Sequence, residues 1–260
     1  MAKGKDNGEG ITIVKVDRGL ATFCILGTTP IILNRMSEKA MHELLMPKKK
    51  TAADRASSLK HDPMTEFLAS PYIDPNEDGP TYIQHLSTAF KCAIKDSALD
   101  VPGSSKAQIG RLCWVERERL PIYGIPKMLM SVTRSADMNK TPDVRTRCIV
   151  PQWATQITVS YVKPILNETS IVNLVVSAGM CQGIGDWRTG KGSGTFGAFE
   201  VVNKTDPRYL SIMKNGGRKA QVKAMDNVEY YDKETEDLFA WFQKEVKARG
   251  VGDRLKIRTA

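Results

Sequence analysis

The chain has 260 residues, 41% hydrophobic and 26% charged, enough for one large domain or two small ones whose core needs neither disulfides nor a structural metal. Its 38 Lys and Arg outnumber 29 Asp and Glu for a net charge of +9 at pH 7, the balance expected of a protein that meets a polyanion. No run of 18 apolar residues marks a membrane span, and five singly spaced cysteines without a CxxC pair exclude the usual zinc ligand sets and fit a reducing cytoplasm with buried thiols.

The polar opening, residues 1–10, reads as a disordered lead-in. "GITIVKV" and "LATFCILG" are strand-length runs separated by the turn signal "DRG", and "TTPIILNRM" continues extended. "SEKAMHELLM" predicts a helix with Ser37 as cap. The basic segment that follows holds Lys48, Lys49, Lys50, Arg55, Lys60 and His61; it reads either as a solvated loop or as a nucleic-acid contact, part of an insertion near 46–82. "HLSTAFKCAIKDSAL" has Leu86, Phe90, Ala93, Ile94 and Ala98 on one face, with Lys91 and Lys95 together on another, and His85 at its start. "VPGSSKAQIG" reads as a loop.

From 109 to 162 the pattern turns to strands: "IGRLCWVERE", "LPIYGIP", "KMLMSVTR", "RTRCIVPQW" and "ATQITVSYV". Residues 101–150 hold nine Lys and Arg against four acids. Arg145 and Arg147 share one face of a strand by its two-residue period. Such a face suits phosphate contacts, and the aromatics nearby (Trp114, Tyr123, Trp153, Tyr161) either stack on bases or fill the core.

"NETSIVNLVVSAGM" predicts a helix capped by Asn167, followed by seven glycines in the nineteen residues 179–197 and then a strand, "TFGAFEVV". "GDWRTGKG" has Walker-like spacing and "GSGTFG" spells GxGxxG, but both motifs must follow a strand and open a helix. Here the order is reversed, which argues against a nucleotide cofactor. A loop with Gly183, Gly185, Trp187, Arg188, Lys191 and Phe196 suits a clamp on a phosphodiester chain; the alternative is a flexible hairpin. Residues 203–232 supply short pieces, and a final helix spans about 233 to 248 with Leu238, Phe239, Phe242 and Val246 on one face, ahead of a basic tail.

No catalytic constellation is present: there is no GxSxG, no HExxH and no carboxylate cluster of useful spacing. His42 reads as a surface residue, His61 as a possible general base, and Glu116 with Glu118 as strand neighbours that pair with the arginines around them.

Together, "IVNLVVSAGMCQGIGDWRTGKGSGTFGAFEV", "LGTTPIILN" and "TYIQHLSTAFKCAIKDSAL", with Ser87, Lys91 and Lys95 in its polar and basic positions, resemble the RAMP superfamily. These are RNA-binding proteins of CRISPR effector complexes. The chain departs from that pattern at Gln84 and Cys92, where the family has proline and glycine. The resemblance implies an α+β, ferredoxin-like (RRM-like) core over residues 11–225, with a basic thumb as insertion and a C-terminal helix and tail at 226–260. It also implies RNA along a basic face and assembly as an oligomer or within a multi-subunit ribonucleoprotein.

The leading expectation is therefore a cytoplasmic, non-enzymatic protein that binds single-stranded RNA and needs no cofactor or metal. A phage-type single-stranded DNA-binding or annealing protein, a metal-independent endoribonuclease using His61 or His42, and a purely structural assembly subunit are the alternatives.

Overall fold

The computed structural model describes residues 14–36, 38–46, 61–103, 105–134, 142–191 and 193–248. Its first strand, β1 (Asp17–Gly27), runs straight through the predicted Asp-Arg-Gly turn. Tertiary pairing overrides the local signal: residues 17–26 register antiparallel against residues 163–154 of β9 (Ala154–Lys163). Residues 14–16 carry no strand, and the rest of the first predicted run, like the lead-in and the basic tail, lies outside the described residues.

β1 sits inside a four-stranded antiparallel sheet of order β10-β1-β9-β5, where β5 is Cys113–Val115 and β10 is Phe199–Val202. Helix α3 (Ser87–Ser97) lies between β1 and β5 in sequence, and α5 (Glu168–Ser177) between β9 and β10. With the excursions set aside, the connectivity is β-α-β-β-α-β.

Strand alternation explains the core. Ala21, Phe23 and Ile25 of β1 and Ile157, Val159 and Tyr161 of β9 share one side of the sheet. They are buried in one cluster with Phe90 and Ile94 of α3 and Ile171, Leu174 and Val175 of α5. Trp153 is fully buried as well, with its indole N–H on the Thr29 carbonyl, so Trp153 and Tyr161 belong to the core. The other side of the sheet carries a second, smaller apolar cluster at the end of β1 near Gly27. There Tyr209, Ile212 and Met213 of α6 (Pro207–Asn215) pack on Cys24, Leu26 and Ala154, while Leu20 stays 59% exposed.

Between β1 and α3 come β2 (Ile31–Leu33), α1 (Glu38–Leu45), α2 (Pro63–Ala69), β3 (Tyr72–Ile73) and β4 (Ile83–Leu86). Between β5 and β9 come β6 (Arg119–Pro121), β7 (Lys127–Arg134) and β8 (Pro142–Val150). They form two further antiparallel sheets, β2-β8-β7 and β3-β4-β6. The final helix, α8 (Lys233–Ala248), lies against β7: the Met130 amide donates to Thr235 Oγ1, and the Tyr231 amide to the Met128 carbonyl. Gln221 of α7 (Arg218–Asp226) is buried and fully used. Its Oε1 accepts from the Tyr82 and Ile83 amides, and its Nε2 donates to the Ile122 and Gly124 carbonyls.

Several sequence expectations change. The second half of the predicted loop "VPGSSKAQIG" opens α4 (Lys106–Leu112), started by a capping box between Ser105 and Gln108. This shortens the strand expected over 109–118 to β5. Residues 203–232 hold two helices rather than short pieces, α6 opening on Asp206 and Pro207. His85 belongs to β4, opposite Leu120, and the helix starts at Ser87. Glu116 and Glu118 lie in a bend around Arg117 (φ 68°), not in a strand. Cys24, Cys113 and Cys148 are buried as expected, but Cys92 and Cys181 are exposed. Among the described residues, no helix is long and apolar enough to cross a membrane.

Candidate nucleic-acid interface

The glycine-rich loop follows a helix and precedes a strand, as its sequence order required. α5 passes into a π-helical turn over Ala178–Gln182, and the loop then folds onto β2. The Asp186 amide donates to the Ile32 carbonyl at 2.9 Å, the Gly197 amide to Pro30 at 2.8 Å, and the Ile184 amide to Gly197 at 2.9 Å. Ile184 is buried beneath this crossing. Gly197, at φ 70°, passes so close to Ile184 that a Cβ would stand 1.7 Å from its carbonyl oxygen. The Gly183 amide donates to the Ala178 carbonyl. The chain's own backbone thus accounts for these close approaches, and the loop is a built element rather than a free hairpin.

Beside the loop is a cleft of about 300 Å³. One wall is the start of α3, through Thr88, Ala89 and Cys92. The opposite wall is the loop, through Ile184, Gly185, Asp186 and Arg188; Leu33, Asn34, Ser70, Tyr72 and His85 close it. Arg35 and Arg119 place their guanidiniums 5.8 and 5.3 Å from the Tyr72 ring centroid. Among the described residues, neither these two nor Arg188 has a carboxylate within ion-pair distance. The cleft's acid, Asp186, accepts from Asn34 Nδ2 at 2.8 Å and lies 3.8 Å from Arg147 Nε. Burial pulls the Arg147 guanidinium below its ordinary value, with Asp186 acting in the opposite direction. Where the cleft closes, burial holds His85 well below the usual imidazole range, at about 4.

The expected site residues divide. Arg188 and Gly185 line the cleft, and Arg147 stands behind Asp186. Trp187 (φ 53°, 42% exposed) stacks on Phe196 with centroids 6.2 Å apart at 14°. Lys191 is exposed nearby. Arg145 pairs with Asp143 at 2.9 Å. Lys91 and Lys95 are absent from the cleft lining; the Lys95 stem passes over Gly110 of α4 and its amine lies 3.8 Å from Asp96, which also holds Lys106 at 2.8 Å. Lys48, Lys49, Lys50, Arg55 and Lys60 lie outside the described residues.

Tyr72, His85, Arg35 and Arg119 are the residues that sequence reasoning missed. Arg119 belongs to the alternating "ERER" run, which was expected to pair internally. Instead Glu116 pairs with Arg18, and hydrogen bonds, from Ser160 first, then Arg18, and least from Trp114, hold its carboxyl below the usual range. Arg18 also lies over Trp114, 6.0 Å from the ring centroid.

His61 is clamped. Its Nδ1 is 2.6 Å from Glu66 Oε1 and its Nε2 is 2.9 Å from Asp143 Oδ1. With both nitrogens so engaged, the ring offers no free lone pair for a general base. It ties α2 to β8, where Glu66 Oε2 also accepts from the Thr146 amide.

No family model and no curated protein matches the chain. Among solved structures it is similar to Cmr6 from Pyrococcus furiosus, at 8% identity and a TM-score of 0.32, covering 72% of this chain and 99% of that one. A chain of the Type III-B Cmr-beta complex bound to cognate target RNA gives 10% identity and a TM-score of 0.34, covering 72% of this chain and 59% of that one.

Proposed function

We propose that this chain binds single-stranded RNA across the face that carries the cleft, as a non-catalytic, cytoplasmic subunit of a ribonucleoprotein. The observation that carries this reading is Arg188 in the cleft wall together with Arg35 and Arg119 over the ring of Tyr72, which also lines the cleft; among the described residues none of the three has a carboxylate partner. Like charges gathered in this way repel one another, and a polyanion relieves the repulsion. The Trp187–Phe196 stack, one residue along the loop, offers an aromatic surface for an unstacked base. The strand order β10-β1-β9-β5 with its two crossover helices fits the ferredoxin-like core expected from the sequence.

RNA is favoured over DNA on the resemblance of residues 171–201 to the RAMP glycine-rich loop, because a phosphate cleft by itself serves either strand. The purified protein should carry nucleic-acid absorbance and shrink in size-exclusion chromatography after ribonuclease but not after deoxyribonuclease. Protein free of nucleic acid that also fails to bind added RNA overturns the reading. Shrinkage with deoxyribonuclease alone transfers it to DNA.

A further inference from the structure

His85 carries a donor that nothing among the described residues uses. Its Nδ1 is 2.8 Å from the Leu86 amide, and since the amide is the donor, Nδ1 accepts. The neutral ring therefore carries its proton on Nε2. That nitrogen is shielded from solvent and has no hydrogen-bond partner among the described residues, while His85 itself lines the cleft. A sheltered polar group left unmet is costly and rare, so it calls for an acceptor from outside.

The same place offers two further features. α3 has eleven residues, and its N-cap, Leu86, has no side-chain acceptor. The Ser87 amide is satisfied by the Glu118 carbonyl, and the next two residues, Thr88 and Ala89, line the cleft. An uncapped amino end of this length presents unpaired amides and the positive end of the helix dipole. Arg188 adds a formal charge from the facing wall. Asp186 stands against an anion, but Asn34 and Arg147 already draw on its carboxylate.

We propose that the inner end of this cleft is a phosphoryl-anion subsite, where His85 donates through Nε2–H beside the amino end of α3 and Arg188 supplies the countercharge. The subsite rests on the nucleic-acid reading only for the source of its ligand. An internal phosphodiester and a terminal phosphomonoester offer the same oxygen acceptors, and the neutral donor accommodates either without a change in protonation.

Two substitutions test this. His85→Asn keeps an acceptor near the Nδ1 position for the Leu86 amide and removes the distal donor, whereas His85→Gln reaches the Nε2 position. Inorganic phosphate, titrated into protein labelled with nitrogen-15 histidine, should shift the His85 Nε2 resonance. His85→Asn should weaken binding of a short RNA about tenfold, as loss of one charge-assisted hydrogen bond requires, while His85→Gln stays within about twofold of wild type. A purely structural histidine gives the reverse order.

If phosphate leaves the resonance unmoved and His85→Asn binds RNA as wild type does, the subsite is overturned while strand binding stands. If phosphate shifts the resonance but no oligonucleotide binds, the subsite stands and the nucleic-acid reading falls. Two RNAs that differ only in a 5′-phosphate identify the source: tenfold preference for the phosphorylated one indicates a terminal group, and equal binding an internal diester.

Discussion

Gly197→Ala separates two explanations of the glycine-rich loop, internal packing and room for a ligand. At φ 70°, alanine costs about 1–2 kcal/mol in backbone energy. Its Cβ would also stand 1.7 Å from the Ile184 carbonyl oxygen, so the crossing must open. That rearrangement adds about 1–3 kcal/mol, for a total near 3 kcal/mol. Gly103 supplies the control: it has φ 98° but open space around its Cβ position, so Gly103→Ala isolates the backbone cost of about 1 kcal/mol. With an m-value of about 3 kcal/mol/M, the urea midpoint should fall by about 1 M for Gly197→Ala and about 0.3 M for Gly103→Ala. RNA affinity should fall with the first and not with the second, because the crossing positions Arg188. Equal midpoint shifts refute the packing argument. Lost RNA binding at unchanged stability refutes it too, and indicates that the glycine makes room for the ligand.

Removing Arg35, Arg119 and Arg188 together should lower the magnitude of the slope of log K against log salt by about 2, since each phosphate neutralised on a single strand contributes about 0.7. An unchanged slope in filter binding excludes these residues from the interface. His61→Ala should lower stability by about 1–2 kcal/mol, because it leaves Glu66 and Asp143 without the ring between them. Labelled RNA should stay intact with both proteins, and cleavage by wild type alone would restore the nuclease reading. His85 gives a pH signature. Its folded value of about 4 lies below the ordinary 6.5, so the unfolded chain takes up the proton first as pH falls. Stability should decline between pH 6.5 and 4, by up to about 3 kcal/mol more in wild type than in His85→Asn, as read by urea midpoints across that window. Parallel pH profiles for the two proteins contradict the burial argument.

Periodicity made part of this fold legible. The stripes of α3 and α5, the alternation of β9 and the face of α8 were all readable, because each apolar pattern matches one element's period and one buried side. Local chemistry misled where tertiary pairing intervened. "DRG" is a turn signal, yet Gly19 lies within a strand opposite Tyr161. The α4 capping box was readable in Ser105 and Gln108, but the preceding "VPGSS" suggested a loop.

The site divides in the same way. Arg188 and the start of α3 belong to contiguous motifs and were accessible from sequence. Arg35, Tyr72 and Arg119 come from three separate segments that meet only when β2 and the β3-β4-β6 sheet pack around the cleft. His85 looked like a helix start because a strand of four residues runs directly into α3.

The central claim is that the cleft between Arg188 and the start of α3 holds a single-stranded polyanion, RNA before DNA. Equilibrium binding of one RNA and its sequence-matched DNA to the full chain, measured from low to physiological salt, tests it most directly. The account predicts tighter binding of RNA and affinity that falls steeply with salt. Affinity independent of salt, or no binding of either strand at low salt, contradicts it.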